Sequence, residues 1–133
     1  MNDPFQIQPE LRYGAPVCDQ ILTNRHFTIG YSWHFRQAKW TLEIVNREAI
    51  AVHDLPKAER QDYFRADLRI PKRFRSGLAA YKKSGYDRGH LLPAGDRRFS
   101  LQAYNETFYT SNISPQDREF NAGIWNDLEQ QTR

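Results

Sequence analysis

The sequence is poor in features that mark disulfide-bonded or membrane-spanning chains. A single cysteine, Cys18, stands among 133 residues, which excludes an internal disulfide. No window is apolar enough to cross a bilayer, and the residues from Met1 to Phe5 do not resemble a signal peptide. Internal repeats and low-complexity segments are also absent. A chain of this length is expected to form one domain with one modest core.

Aromatic residues and positive charge are the main compositional features. The chain has 3 Trp, 7 Tyr and 8 Phe residues, which supply much of the surface available for burial. Its formal net charge is +3, so the surface is mildly basic. This permits binding to a polyanion without demonstrating it.

A β-hairpin is the clearest periodic pattern in the sequence. Apolar and polar residues alternate over 27–35, which predicts a half-buried strand. A second alternation covers 39–44 after a short break, so the two strands are expected to pair as an antiparallel hairpin. Residues 1–24, which contain three prolines, are interpreted as an N-terminal arm or extended edge, and 25–133 as the domain.

The second half of the chain mixes short strands with helices. Residues 86–93 are predicted to form a strand or a strand-to-loop transition. Ser100 is a fair N-cap for a helix over 101–107, and 108–113 suit a strand that ends at Ser114-Pro115. A final helix is predicted from Phe120, with Ile124, Trp125 and Leu128 on an apolar stripe. This order indicates an α+β domain with an antiparallel sheet.

The segment Asp87-Arg88-Gly89-His90 brings chemically useful side chains together. The His90 imidazole can accept a proton from water at neutral pH. The Arg88 guanidinium matches the oxygens of a phosphate, although an arginine is more often an ion-pair partner. Together these groups supply much of what hydrolysis of a phosphodiester requires.

Asn121 and Glu129 on the final helix are candidate metal-site residues. Their spacing puts them on adjoining faces two helical turns apart. The Asn121 amide oxygen is a hard ligand that suits magnesium, and Glu129 is placed to bind a metal-bound water. Each residue also has an ordinary interpretation, Asn121 as a cap and Glu129 as a solvated surface residue.

Three segments in this order resemble the DNA/RNA non-specific endonucleases, a family that includes endonuclease G, the Serratia nuclease and the cyanobacterial sugar-non-specific nuclease. They are Asp87-Arg88-Gly89-His90, Ser111-Asn112-Ile113-Ser114-Pro115-Gln116, and Asn121 with Trp125-Asn126-Asp127-Leu128-Glu129. A single short motif would be weak support, but three at matching spacing are specific. The resemblance covers roughly residues 13–133.

The resemblance implies a ββα-metal site and assigns a role to each matching residue. The implied activity is magnesium-dependent hydrolysis of single- and double-stranded DNA and RNA to 5′-phosphate ends, with Mn²⁺ as a substitute cofactor. The matching residues are His90 as the general base, Asn121 as the metal ligand, Glu129 acting through metal-bound water, Arg88 on the phosphate, Asn112 as a supporting residue among the catalytic group, and Arg60 and Arg133 as further substrate-binding positions.

Related chains continue beyond the metal helix, so this chain is expected to be truncated there. A homodimer or a second chain that covers the exposed edge is therefore expected. Family members are mostly secreted, periplasmic or organellar, and a secreted or periplasmic location is predicted. The alternative function is a catalytically silent fragment that binds nucleic acid through Lys72, Arg73 and Arg75, or that binds a protein.

Overall fold

The structure is a computed structural model that describes residues 9–51 and 63–133. Five strands and four α-helices make up its longer elements, joined by short 3₁₀ turns, within these described ranges. In chain order they are β1 (Gln20–Thr23), β2 (Phe27–Ser32), β3 (Gln37–Glu43), α1 (Arg47–Ala51), β4 (Asp87–His90), α2 (Leu101–Glu106), β5 (Ile113–Gln116), α3 (Arg118–Phe120) and α4 (Asn126–Thr132). No helix of the described residues is long and apolar enough to cross a membrane.

The first three strands form an antiparallel sheet in the order β1-β2-β3. The predicted hairpin is confirmed as β2 and β3, but β2 ends at Ser32 rather than at residue 35 and is buried on both faces rather than half-buried. Thr28 on its second face donates a hydrogen bond to Glu10 at 2.5 Å, and the Trp40 ring packs over Gly30. Strand β1 begins at Gln20, so the sheet starts within the segment interpreted as an arm.

Strands β4 and β5 form a separate two-stranded antiparallel sheet that carries the Asp-Arg-Gly-His segment. Arg88 pairs with Pro115 and Gly89 with Ser114. The prediction that Ser114-Pro115 ends a strand over 108–113 is wrong, since β5 starts at Ile113 and runs through Pro115. Proline is tolerated in this small sheet because an edge position does not require its N–H. A Cβ at Gly89 would meet the Gln116 side chain where it lies in this structure, so a larger residue would require Gln116 to move.

The final helical region is interrupted rather than continuous. It begins at α3, where Asp117 accepts hydrogen bonds from the backbone N–H groups of Glu119 and Phe120, at 2.9 and 3.2 Å. A π-helical segment, Asn121–Trp125, follows and leads into α4. Gly123 within it has φ −101° and ψ −105°, which is not helical. Such interruptions shift the faces that an uninterrupted helix would present.

Two packed clusters form the core. The larger joins the first sheet to Ile70 and Leu92, and the smaller joins Ala94, Tyr104 and Phe108. The predicted helix over 101–107 is observed as α2, and its Ser100 cap accepts a hydrogen bond from the Ala103 N–H at 3.1 Å. The second cluster lies against His90, because Phe108 belongs to both the cluster and the wall around the imidazole.

Candidate functional site

His90 lies at the end of β4, where its side chain is almost completely buried. The edge of its imidazole packs on Phe108, with ring centroids 4.7 Å apart and an interplanar angle of 86°. Phe64 lies at 5.8 Å in a tilted arrangement. Aromatic packing of this kind restricts ring rotation, so the imidazole is held in one orientation.

Asn112 fixes the chain directly after His90. Its Oδ1 accepts a hydrogen bond from the Leu92 N–H at 2.9 Å, and its Nδ2 donates to the carbonyls of Leu92 and Thr107, both at 2.9 Å. The Asn112 carbonyl also accepts from the Leu91 N–H at 2.9 Å. Asn112 is fully buried. It therefore stabilises the position of His90 from within the core, through hydrogen bonds to the backbone.

Asn121 is oriented by the aspartate of the Asp-Arg-Gly-His segment. Its Nδ2 donates to Asp87 Oδ2 over 3.4 Å, and Arg118 Nε contacts Asp87 Oδ1 at 3.2 Å. An ionised carboxylate only accepts hydrogen bonds, so the –NH₂ group of Asn121 must face it. The Asn121 carbonyl oxygen is thereby left on the other side of the amide, where it is suited to bind a cation.

Trp125 joins the helical region to the strand that carries His90. Its indole Nε1 donates a hydrogen bond to the His90 carbonyl oxygen at 3.0 Å. The same ring stacks on Phe120, with centroids 6.0 Å apart. Two hydrogen bonds therefore hold the π-helical segment against β4. One joins Trp125 to the His90 carbonyl, and the other joins Asn121 to Asp87.

The helical region and β4 enclose an open cavity of about 780 Å³. Its wall brings together residues that lie far apart in sequence, at the end of β4, before α2 and along the final helices. The predicted site residues on this wall are Arg88, His90, Asn121, Glu129 and Arg133, and Phe64, Arg98 and Tyr104 contribute as well. The structure thus collects most of the predicted site residues around one space.

Arginines give the cavity wall its positive charge. Arg88 lies over the Phe64 ring at 4.2 Å, a cation–π contact that holds the guanidinium against the wall. Arg133 contacts Asp96 Oδ1 at 3.3 Å and packs so closely over Gly95 that any side chain there would meet it. Arg98 also lines the cavity. Three guanidinium groups against one carboxylate, Glu129, favour an anionic ligand.

Behind Arg133 lies a buried group of charges made of Glu43, Asp96 and Arg97. Arg97 Nη2 contacts Glu43 Oε2 at 2.6 Å. Burial, together with a hydrogen bond to Asp96, raises the pKa of Glu43 to about 8, although the Arg97 charge acts in the opposite direction. Glu43 therefore holds its proton more tightly than an ordinary carboxyl group, and Asp96 joins this buried group to Arg133 on the cavity wall.

The basic cluster and Arg60 remain to be placed. Arg60 lies outside the described residues. In the basic cluster, Arg75 donates from Nε and Nη2 to the Ile70 carbonyl at 3.0 and 2.8 Å, which is a structural role. Lys72 and Arg73 are exposed and do not line the cavity.

Sequence reasoning singled out Asn112 but not the other residues that position the catalytic candidates. Asp87 belongs to the Asp-Arg-Gly-His motif, but its contact with Asn121 cannot be predicted from the sequence. Trp125 was assigned to an apolar stripe, whereas Ile124 and Leu128 of that stripe are 74% and 51% exposed. The stripe prediction is therefore wrong for these two residues, because the π-helical segment displaces them from the packed face. The position of Phe64 on the cavity wall could not be predicted, because the segment before it has no clear periodicity.

The fold and the cavity define the chain as an α+β protein with a histidine and an amide side chain on the wall of a basic cavity. Residues 9–133 match the family described as DNA/RNA non-specific endonuclease. The chain belongs to this family. The resemblance inferred from the three motifs is therefore confirmed.

Curated relatives give the same result. The chain is 39% identical to the mitochondrial nuclease of Saccharomyces cerevisiae, over 94% of this chain and 39% of the relative. It is 38% identical to the mitochondrial endonuclease G of Caenorhabditis elegans, over 92% of this chain and 40% of the relative. It is 37% identical to the mitochondrial nuclease EXOG of Xenopus laevis, over 98% of this chain and 36% of the relative.

A solved structure supports the fold. The crystal structure of the EndoG/EndoGI complex, which concerns the mechanism of EndoG inhibition, superposes with a TM-score of 0.83 at 35% identity. The match covers 92% of this chain and 50% of that chain. The predicted α+β class is confirmed. The chain spans about two-fifths of the length of the curated relatives named above.

The predicted secreted or periplasmic location is wrong. The relatives from yeast, worm and frog are all named as mitochondrial nucleases. The prediction failed because the catalytic motifs carry no information about compartment. Location is encoded by targeting signals that receptors read, and the same hydrolytic site serves in several compartments.

Proposed function

We propose that this chain is a non-specific endonuclease that hydrolyses phosphodiester bonds of DNA and RNA and leaves 5′-phosphate ends. The observation that carries the proposal is the shared cavity of His90 and Asn121, with Arg88 on the same wall. Membership of an endonuclease family, with relatives named as nucleases, supports the reaction class. The assignment of individual roles below rests on the geometry and the chemistry of these side chains.

His90 acts as the general base that takes a proton from the attacking water. Its imidazole lines the cavity, and Phe108 holds the ring in one orientation. The bond from Trp125 fixes the His90 carbonyl, and Asn112 fixes the chain directly after it. A positioned general base contributes roughly 10²- to 10⁴-fold to a rate.

Asn121 and Glu129 are the residues that would hold Mg²⁺ at the site. The donors present are one amide oxygen, oriented by Asp87, and one carboxylate on the same cavity wall. This set fits magnesium, which keeps several waters and needs only one or two protein oxygens, and Mn²⁺ accepts the same donors. When bound, the ion supplies positive charge that stabilises the phosphate and the leaving oxygen.

Arg88 and Arg133 bind the phosphate backbone of the substrate. Both guanidinium groups are held at the wall, Arg88 by Phe64 and Arg133 by Asp96. A guanidinium matches two phosphate oxygens in a planar fork. Contacts of this type carry no base information, which explains acceptance of DNA and RNA, both single- and double-stranded. Arg60 is proposed as a further substrate contact.

A second polypeptide is proposed to cover the exposed apolar side chains of the π-helical segment and α4. Ile124 and Leu128 are 74% and 51% exposed there, and a second copy of this chain or another chain would bury them. Sedimentation equilibrium tests the partner: the mean mass should rise with concentration, and a strict monomer throughout would count against a homodimer.

The names of the relatives support a mitochondrial location.

The proposed function is tested by cleavage of supercoiled plasmid and of total RNA, with Mg²⁺ and with EDTA, beside His90→Ala. Loss of both substrates is expected only with Mg²⁺ and only for the unmodified chain. The variant should still bind nucleic acid, because His90 takes part in proton transfer and the arginines bind the phosphates. A folded chain that binds but never cleaves would instead indicate the alternative, a catalytically silent binding fragment.

A further inference from the structure

A second hollow lies beside Arg88, which also lines the catalytic cavity. It has a volume of about 540 Å³ and lies between the 3₁₀ turn Leu78–Ala80 and the start of β4. Tyr86, Lys82 and Arg118 line it, and Arg88 lines both spaces. Arg88 is therefore the residue through which the two spaces adjoin.

The charge of this hollow suits a phosphate. Lys82, Arg88 and Arg118 carry positive charge on its wall, against the single carboxylate of Asp87. Lys82 is exposed, and Arg118 contacts Asp87 through Nε while its side chain stays 82% exposed. Exposed basic groups that face one space bind a polyanion mainly through its phosphates.

Tyr86 gives the hollow an aromatic surface on a well-defined backbone. The residue is 57% exposed, so its ring is open to solvent beside the strand. Its N–H donates to Ser84 Oγ at 3.1 Å, and Gly85 before it has φ +85°, a conformation that favours glycine. Tyr81 at the hollow donates its hydroxyl to the Ile113 carbonyl at 3.3 Å, which ties the turn to β5.

The spacing along β4 decides which part of a substrate Tyr86 can reach. Arg88 and His90 both contact Phe64, so they share one face of the strand. Tyr86 precedes them at the same two-residue interval, and four residues of extended chain span roughly 13 Å. Tyr86 is thus too far from His90 to touch the reacting phosphate, but it is placed to meet a neighbouring nucleotide.

We propose that this hollow is a subsite for the nucleotide next to the scissile phosphate, with its base stacked on Tyr86 and its phosphate bound by Lys82 and Arg118. The proposal rests on the proposed nuclease function and adds to it a binding determinant outside the catalytic cavity. Base stacking on an exposed aromatic requires an unpaired base, so the subsite favours single-stranded or locally opened substrate.

The first test is binding of a fluorescently labelled single-stranded oligothymidylate in EDTA, measured by anisotropy. Tyr86→Ala should weaken binding by about 5- to 150-fold, the range for loss of one stacked base. Tyr86→Phe should bind like the unmodified chain, because the ring is kept. Tyr13, which is 90% exposed and lines neither space, supplies the matched control Tyr13→Ala, which should have no effect.

A second test separates this proposal from the nuclease function. With Mg²⁺, Tyr86→Ala should raise KM for the oligonucleotide and leave hydrolysis of bis(4-nitrophenyl) phosphate, which has no neighbouring nucleotide, unchanged. Cleavage by the unmodified chain with equal KM for Tyr86→Ala would overturn the subsite and leave the nuclease function standing. Tyr86-dependent binding in EDTA without any cleavage would overturn the nuclease function and leave the binding site standing. Equal binding by Tyr86→Ala and the unmodified chain in EDTA would refute the subsite directly.

Discussion

Substitution of Asn112 should strongly destabilise the fold, because both polar atoms of its buried side chain form hydrogen bonds to the backbone. Asn112→Ala removes the acceptor of the Leu92 N–H and the donor to the carbonyls of Leu92 and Thr107. Each buried polar group left without its partner costs about 1–3 kcal/mol. Because the three losses share one site and relax together, we expect a loss of about 3–5 kcal/mol in the free energy of unfolding.

The assay is urea unfolding followed by circular dichroism, beside an exposed amide as control. Gln131→Ala removes a comparable amide from the surface of α4 and should change stability by less than about 0.5 kcal/mol. Asn112→Asp keeps the acceptor but puts a carboxylate against two carbonyl oxygens. Protonation would restore a donor, so this variant should gain stability relative to the unmodified chain as the pH falls.

The effect of Asn112 on activity can be separated from its effect on stability. If Asn112 acts only by fixing the chain after His90, activity and stability should be lost together. A variant that keeps its stability within about 1 kcal/mol of the unmodified chain but loses cleavage would refute this reasoning. Asn112 would then act on the reaction by another route.

Three further predictions concern contacts around the site. Ser100→Ala should lower the free energy of unfolding by about 1 kcal/mol in urea titrations, since it removes the α2 cap. Trp125→Phe should cost about 1 kcal/mol in the same assay and slow cleavage, because it removes the hydrogen bond to the His90 carbonyl. The pKa of Glu43 is raised to about 8 in the folded chain, so its contribution to stability is complete below about pH 4.5 and is lost as the pH rises through 8. Urea midpoints from pH 5 to 9 should show this fall, and Glu43→Gln should flatten it; an identical slope in that variant would refute the assignment.

The sequence predicted the elements whose signal is local. The alternation over 27–35 and 39–44 predicted β2 and β3, and Ser100 predicted the start of α2. The three motifs predicted that His90, Asn121 and Glu129 would lie together, and the cavity contains all three. Periodicity, caps and motif spacing are properties of nearby residues, so a single chain is enough to read them.

The errors came from tertiary contacts that no local pattern records. Strand β2 is buried on both faces because Glu10 and Trp40 cover the side that carries Thr28 and Gly30. Strand β5 continues through Pro115 because it pairs with only one neighbour, within the described part of the chain. The π-helical segment contacts Asp87 through Asn121 and the His90 carbonyl through Trp125, and both partners are distant in sequence.

The central claim is that Asn121 holds the metal ion beside a proton-accepting His90. It is tested most directly by the Mg²⁺ dependence of single-turnover oligonucleotide cleavage in the unmodified chain, Asn121→Ala and His90→Ala. We predict that Asn121→Ala needs a much higher Mg²⁺ concentration for half-maximal rate, whereas His90→Ala keeps the Mg²⁺ midpoint and loses about 10²- to 10⁴-fold in rate. An unchanged Mg²⁺ midpoint in Asn121→Ala, or full cleavage by His90→Ala, would contradict the claim.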